Sequence, residues 1–213
     1  MIEPDLEPVA VPWSAGRWTH PPVDVREEGP DLLVTAAEGS DAWQHTAYGF
    51  VHDSEHGLLA PLAPGRAVEV EFTAGYDAQF DQAGLLLRAS PVRWIKAGVE
   101  LADGVAQVGA VVTDGRSDWS VAPVPEWAGH RVTVRASRAG DAVTIRARAG
   151  DEPFRLVRLA PWPPDVALDA GPYCCAPTRA GLTVRFHAWR TAAAVGSLHW
   201  GRRAVRAGLT GRR

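Results

Sequence analysis

Over much of the chain, apolar and polar residues alternate with a period of two. The cleanest run is 66–73, where Val68, Val70 and Phe72 take one parity and Glu69 and Glu71 the other. That pattern predicts a strand with one face on a core, and it makes the two glutamates a solvated face. Segments 131–136 and 142–147 repeat it around a turn at 138–141, with Arg131, Arg135, Arg146 and Arg148 outward. Shorter apolar runs closed by Gly, Asp or Pro predict strands at 31–36, 84–88, 94–101, 106–113, 154–159, 166–175 and 181–189. Asp103-Gly104 is the strongest tight-turn signal. Residues 42–52 are rich in aromatic and imidazole groups. No stretch keeps a helical period over a dozen residues. Strands recurring at hairpin spacing predict an all-β antiparallel sandwich or barrel. Its strand content should exceed about 40 %, against the usual 20–25 %.

Composition narrows this picture. At 213 residues, one large β domain is favoured over two small ones. We place it at 1–192, with an acidic, proline-punctuated arm at 1–12 and an arginine-rich tail at 193–213. A formal charge of −3 gives no global electrostatic footprint for nucleic acid. No run approaches the ~18 apolar residues of a membrane span. The first residues carry neither a basic n-region nor an apolar h-region, so a cytoplasmic protein is expected. Cys174 and Cys175 are neighbours, too close along the chain for an unstrained bridge, and are expected as free thiols. Lys96 is the only lysine, all other side-chain cations of this type being arginine.

Candidate chemistry concentrates in 76–120. Along 94–101, parity puts Ile95, Ala97, Val99 and Leu101 on the core face and Trp94, Lys96, Gly98 and Glu100 on the other. A strand glycine there suits close approach of a ligand to the backbone. Gln82, Gly84, Leu86 and Arg88 share that parity on the preceding strand. The alternative is an ordinary solvated face with an exposed Lys96–Glu100 pair. On either view Lys96→Ala should shift unfolding little, since exposed pairs contribute about 0–1 kcal/mol. Trp119 follows Ser117-Asp118 in a turn, placing an aromatic face beside polar groups, as in a sugar groove; it can equally pack under its own loop. His45, Tyr48, His52 and His56 gather around one bend, but without convincing metal-ligand spacing. A glycosidase needs two carboxylates across the sugar. Glu100 with Asp118 or Asp81 is the conceivable pair, and Glu69-Val-Glu71 only imitates one.

Several of these pieces resemble the signature of the DUF1349 family, also labelled "regulation of enolase". They are Asp41-Ala-Trp43, Phe80-Asp-Gln-Ala-Gly84, Trp94-Ile-Lys-Ala-Gly-Val-Glu100, Val111-Val-Thr113, Ser117-Asp-Trp119 and Gly171-Pro-Tyr-Cys-Cys-Ala-Pro177. Phe80 stands where the family favours Tyr, and Ala176 where it favours Ser. The resemblance implies a concanavalin A-like fold (a jelly roll of two antiparallel sheets) and no established catalytic residues. The candidate ligand-binding set is therefore Trp43, His45, Gln82, Arg88, Trp94, Lys96, Glu100, Asp118, Trp119 and Tyr173. Glu100 and Asp118 are the acidic pair if the protein is an enzyme. The expected ligand is a carbohydrate or sugar-like metabolite, without cofactor, metal, nucleic acid or membrane. Alternatives are a glycoside-active enzyme and a protein–protein adaptor.

Overall fold

The computed structural model describes residues 7–196, so the start of the predicted arm and nearly all of the arginine-rich tail lie outside the described residues. Strands run β1 (Val9–Ala10), β2 (Arg17–Trp18), β3 (Asp24–Glu28), β4 (Asp31–Thr35), β5 (Ala42–Gln44) and β6 (Val51–Asp53). They continue as β7 (His56–Pro61), β8 (Arg66–Ala74), β9 (Gln82–Ser90), β10 (Arg93–Ala102), β11 (Val105–Asp114) and β12 (Ser117–Pro123). The last five are β13 (Val132–Ala139), β14 (Ala142–Ala149), β15 (Arg155–Pro161), β16 (Asp169–Cys175) and β17 (Thr183–Ala193). Strand makes up 60 % of the structure, well above the sequence-based floor. No helix among the described residues is long and apolar enough to cross a membrane.

Two antiparallel sheets form a sandwich. One has the order β15-β14-β13-β8-β17-β4-β3, with β1 added to β17; the other runs β12-β11-β10-β9-β16-β7-β2. Alternation explains what lies between them. Val68, Val70 and Phe72 from β8 meet Ala83, Leu85 and Leu87 from β9 and Ile95, Ala97 and Val99 from β10 in one core. The Asp103-Gly104 turn joins β10 to β11, both residues having positive φ. Glu69 departs from its predicted solvated state. It is 6 % exposed and accepts from Arg135 Nη1 at 2.9 Å, because cross-strand partners on β13 cover it. Glu71 is half-buried and pairs with Arg131 at 3.1 Å.

A third element covers part of the outer sheet face. The aromatic-rich stretch around 42–52 forms a short hairpin, β5 paired with β6. Its loop carries two non-glycine residues in the left-handed region, His45 and Ala47. The hairpin lies on the outer face of the seven-stranded sheet. There Ala42 and Trp43 pack with Leu59, Leu86, Trp94, Val111, Tyr173 and Cys175 in a second, smaller cluster. The Gln44 N–H donates to Ser117 Oγ at 2.9 Å, tying the hairpin to β12. Arg88 on β9 ties its other end, pairing with Asp53 at 2.9 Å and with Glu55. Cys174 and Cys175 are free and fully buried, one in each cluster.

His56, just beyond the hairpin, sets a pH dependence. Its Nε2 accepts the Ala37 N–H at 3.0 Å, which leaves Nδ1 to carry the proton and donate to the His20 carbonyl at 3.0 Å. The first contact requires a neutral ring, because a protonated Nε2 cannot accept; the second survives protonation. Burial lowers its pKa, partly opposed by the bond to His20. Its contribution to stability is thus complete above the unfolded value of about 6.5 and lost as the pH falls toward the folded value. Urea unfolding at pH 7.5 and at pH 5.5 is expected to show this loss in the native protein and a smaller one in His56→Gln. Glu55 and Glu100, whose raised pKa values act in the opposite sense, are present in both proteins and cancel.

Candidate functional site

Under the hairpin the outer sheet face forms a half-open cavity of about 260 Å³. Its floor is polar. β9 contributes Gln82, β10 contributes Lys96 and Glu100, and Asp41 enters from the residue preceding β5. Parity along β10 is as the sequence predicts, but the face is not open to solvent. The hairpin covers it, and Lys96 is only 4 % exposed.

Its charge is matched at once. Lys96 Nζ donates to Asp41 Oδ1 at 2.7 Å, and the same oxygen accepts the Ala42 N–H at 2.8 Å and Gln82 Nε2 at 3.3 Å. Burial alone would lower the Lys96 pKa; Asp41, with smaller help from Cys175 and Glu100, outweighs it, and the net shift is upward. Among the described residues Asp41 is the one hydrogen-bond partner of the ammonium, which also lies 6.0 Å from the Trp94 ring centroid; two of its three donors have no hydrogen-bond partner among those residues. Glu100 is half-buried and accepts Trp119 Nε1 at 2.9 Å through Oε1. Burial raises its pKa, against the pull of Lys96 and of the Trp119 bond.

The walls are aromatic. Trp43, Tyr48, Phe50 and His52 come from the hairpin, Phe80 from the loop before β9 and Trp119 from β12. The hairpin rings run in series. Trp43 meets Tyr48 edge-on at 5.7 Å, Tyr48 stacks on Phe50 at 5.2 Å, and Phe50 meets His52 edge-on at 4.6 Å. Trp43 Nε1 closes the loop by donating to the Thr46 carbonyl at 2.9 Å.

The predicted set divides accordingly. Trp43, Gln82, Lys96, Glu100 and Trp119 meet at the cavity. Tyr173 lies beneath it, its hydroxyl 3.5 Å from Gln82 Oε1. It helps line a hollow of about 10 Å³ above Gly98 and Gly109, which is about the size of one water. Four others lie elsewhere. Trp94 is 1 % exposed and supports the floor, its Nε1 donating to Pro91 at 3.2 Å. Arg88 is engaged by Asp53 and Glu55 and lines a separate hollow with Trp18 and Asp169. His45 is exposed in the hairpin loop. Asp118 stands opposite Val112 in register, while Trp119 stands opposite Val111. Alternation therefore points Asp118 away from the cavity, toward Arg158 on the other sheet at 2.8 Å. Glu100 and Asp118 thus occupy opposite faces and form no pair across the cavity. Asp81, the other suggested partner, is fully buried and held by Arg179 at 2.6 Å.

Gly98 also takes a different role from the predicted ligand approach. It stands in register with Gly84 on β9 and Gly109 on β11. A Cβ on Gly98 would overlap the Ala83 carbonyl oxygen and lie 2.8 Å from the Gly84 Cα. The close approach is by a neighbouring backbone.

The model of a family described as "Protein of unknown function (DUF1349)" matches residues 18–194. The chain belongs to this family. A Saccharomyces cerevisiae relative named "Regulation of enolase protein 1" is 35 % identical over 190 residues, covering 87 % of this chain and 94 % of the relative. A crystal structure of a functionally unknown S. cerevisiae protein superposes with a TM-score of 0.82 at 33 % identity, over 87 % of this chain and 100 % of that one. The metal-free lectin I-B4 of Griffonia simplicifolia gives a TM-score of 0.56 at 12 % identity, over 91 % of this chain and 97 % of that one. At that identity the lectin shows the fold alone, a concanavalin A-like sandwich.

In this DUF1349 chain the segments that carry the family resemblance converge on the cavity. Asp41 and Trp43, Phe80 and Gln82, Lys96 and Glu100, Val111, Trp119 and Pro177 each come from one of them. Tyr48, Phe50 and His52 come from outside those segments, from the hairpin that sequence periodicity did not resolve. Asp41 had one available signal: a lone lysine on a covered sheet face requires a carboxylate partner.

Proposed function

We propose that this DUF1349 protein is a non-catalytic binding module for a carbohydrate or small polyol, held in the cavity under the β5–β6 hairpin. The observation that carries the reading is the pairing of aromatic walls with a floor of unspent polar groups. Aromatic faces carry a negative quadrupole and attract the polarised C–H groups of a sugar ring. The spare donors of Lys96 and the free oxygen of Glu100 suit ring hydroxyls. A volume of about 260 Å³ falls just below the range of about 300–1,000 Å³ usual for drug-sized ligands, which favours one sugar unit over a chain. Catalysis is the weaker reading. Glu100 lacks Asp118 as its partner, and Asp41, the other cavity carboxylate, already takes three donors on one oxygen. The unpaired buried cysteines suit a reducing compartment, and we place the protein in the cytoplasm.

Thermal unfolding with glucose, galactose, xylose and inositol tests the reading. At least one is expected to raise the midpoint in a saturable way. Trp119→Ala, which removes a 38 % exposed ring, should weaken that binding about tenfold, or 1.4 kcal/mol. No shift with any neutral sugar, polyol or amino sugar, at concentrations up to solubility, would defeat it.

A further inference from the structure

The charges of the cavity are unequal, and the inequality selects among sugars. Asp41, Lys96 and Glu100 are its charged side chains, two acids against one base. Asp41 and Lys96 neutralise each other at 2.7 Å. Glu100 is left without a cation. Its Oε1 has the neutral Trp119 N–H, and its Oε2 has no partner among the described residues. The other groups around the floor are neutral or remote: the Gln82 amide, the Tyr173 hydroxyl beneath it, the buried Cys175 thiol, and His52 in the wall. Burial works against this carboxylate, and Lys96, already paired, relieves it only in part.

We propose that the ligand carries a protonated amine, as in an amino sugar or amino polyol, with the ammonium against Glu100 Oε2 and the aromatic wall. The inference rests on the sugar-binding reading and deepens it. Two independent features favour a cation. Glu100 is an acceptor with spare capacity, and a charge-assisted bond there is about twice as strong as a neutral one. Trp119, Trp43, Tyr48 and Phe50 line the cavity, and an ammonium over an aromatic face is attracted by the ring quadrupole. The spare Lys96 donors suit hydroxyl oxygens, and they repel an ammonium placed beside them. An acidic sugar meets the opposite balance: Glu100 repels it, and the Lys96 charge is already spent on Asp41.

Calorimetric titration of the full chain with glucosamine, glucose and glucuronate at neutral pH decides the matter. Glucosamine is expected to bind at least about tenfold tighter than glucose, and glucuronate more weakly than either. Raising the salt should shrink the glucosamine preference, because a partly exposed ion pair is screened. Glu100→Gln, which keeps an acceptor for Trp119, should collapse the ratio of glucosamine to glucose affinity toward one. If that variant fails to fold, the native ratio and its salt dependence still decide. Glucose binding as tightly as glucosamine overturns the inference and leaves the sugar-binding reading standing. Failure of glucosamine and glucose alike overturns the inference, and the neutral-sugar panel then decides the wider reading.

Discussion

Lys96→Ala is expected to lower folding stability by about 3 kcal/mol, reversing what the strand pattern alone implies. Breaking one side of a buried ion pair typically costs about 3–5 kcal/mol, because the remaining charge stays buried without its counterion. Asp41 would keep the Ala42 N–H and Gln82 Nε2, and its side chain is 18 % exposed at the cavity, so the low end applies. The cost belongs to the stranded carboxylate, so removing both charges should restore stability. Lys96→Met with Asp41→Asn is expected within about 1 kcal/mol of the native protein, as apolar or neutral replacements of buried pairs often are. The pH dependence has a definite sign. Asp41 raises the Lys96 pKa in the fold despite burial, so the stabilisation is complete below the unfolded value of about 10.4 and is lost as the pH rises through the folded value. Urea unfolding followed by circular dichroism checks each step. A loss below about 1 kcal/mol for Lys96→Ala would mean that the pair behaves as an exposed one.

The contrast shows which features were legible in the sequence. Alternation is a local property, and it placed Ile95, Ala97 and Val99 on the core and Lys96 and Glu100 opposite them, as the sandwich has them. It does not say what lies on that opposite face. Coverage by the hairpin is set by non-local contacts, the Gln44 bond to Ser117 and the Arg88 pairs with Asp53 and Glu55, across 73, 35 and 33 residues of chain. No short-range pattern encodes them. The hairpin was itself obscured because its turn uses His45 and Ala47 at positive φ instead of the Asn-Gly or Asp-Gly pair that signals a tight turn. The same blindness affected Asp118. Adjacent in sequence to Trp119, it was grouped with it, yet neighbours on a strand point to opposite faces once β12 is recognised as a strand and not a turn. Glu69 shows the complement: its parity was read correctly, but Arg135 on the neighbouring strand buries it.

Gly98→Ala is expected to destabilise the fold by at least about 3 kcal/mol, the upper end for overpacking, and to abolish the proposed sugar binding. The added methyl would strike the Ala83 carbonyl oxygen and the Gly84 Cα. Both are backbone atoms of β9, so no side-chain rotation relieves the clash. Gly84 faces the reciprocal obstacle, since its own Cβ would overlap the Ala97 carbonyl. Relief requires β9 and β10 to part at the place where they are bonded in register. Lys96 and Glu100 sit two residues to either side of Gly98 on the same face, so separation there moves both floor groups relative to Gln82 and Asp41. Gly104→Ala supplies the control. It too removes a glycine, at positive φ in the β10–β11 turn, but its Cβ would meet nothing within 4 Å. Only the conformational cost of about 1 kcal/mol then applies, and the cavity should stay intact. Denaturant unfolding of the two variants separates steric contact from backbone freedom. If Gly98→Ala cost no more than Gly104→Ala, the glycine row would not be what sets the close passage of β9 and β10 beneath the site.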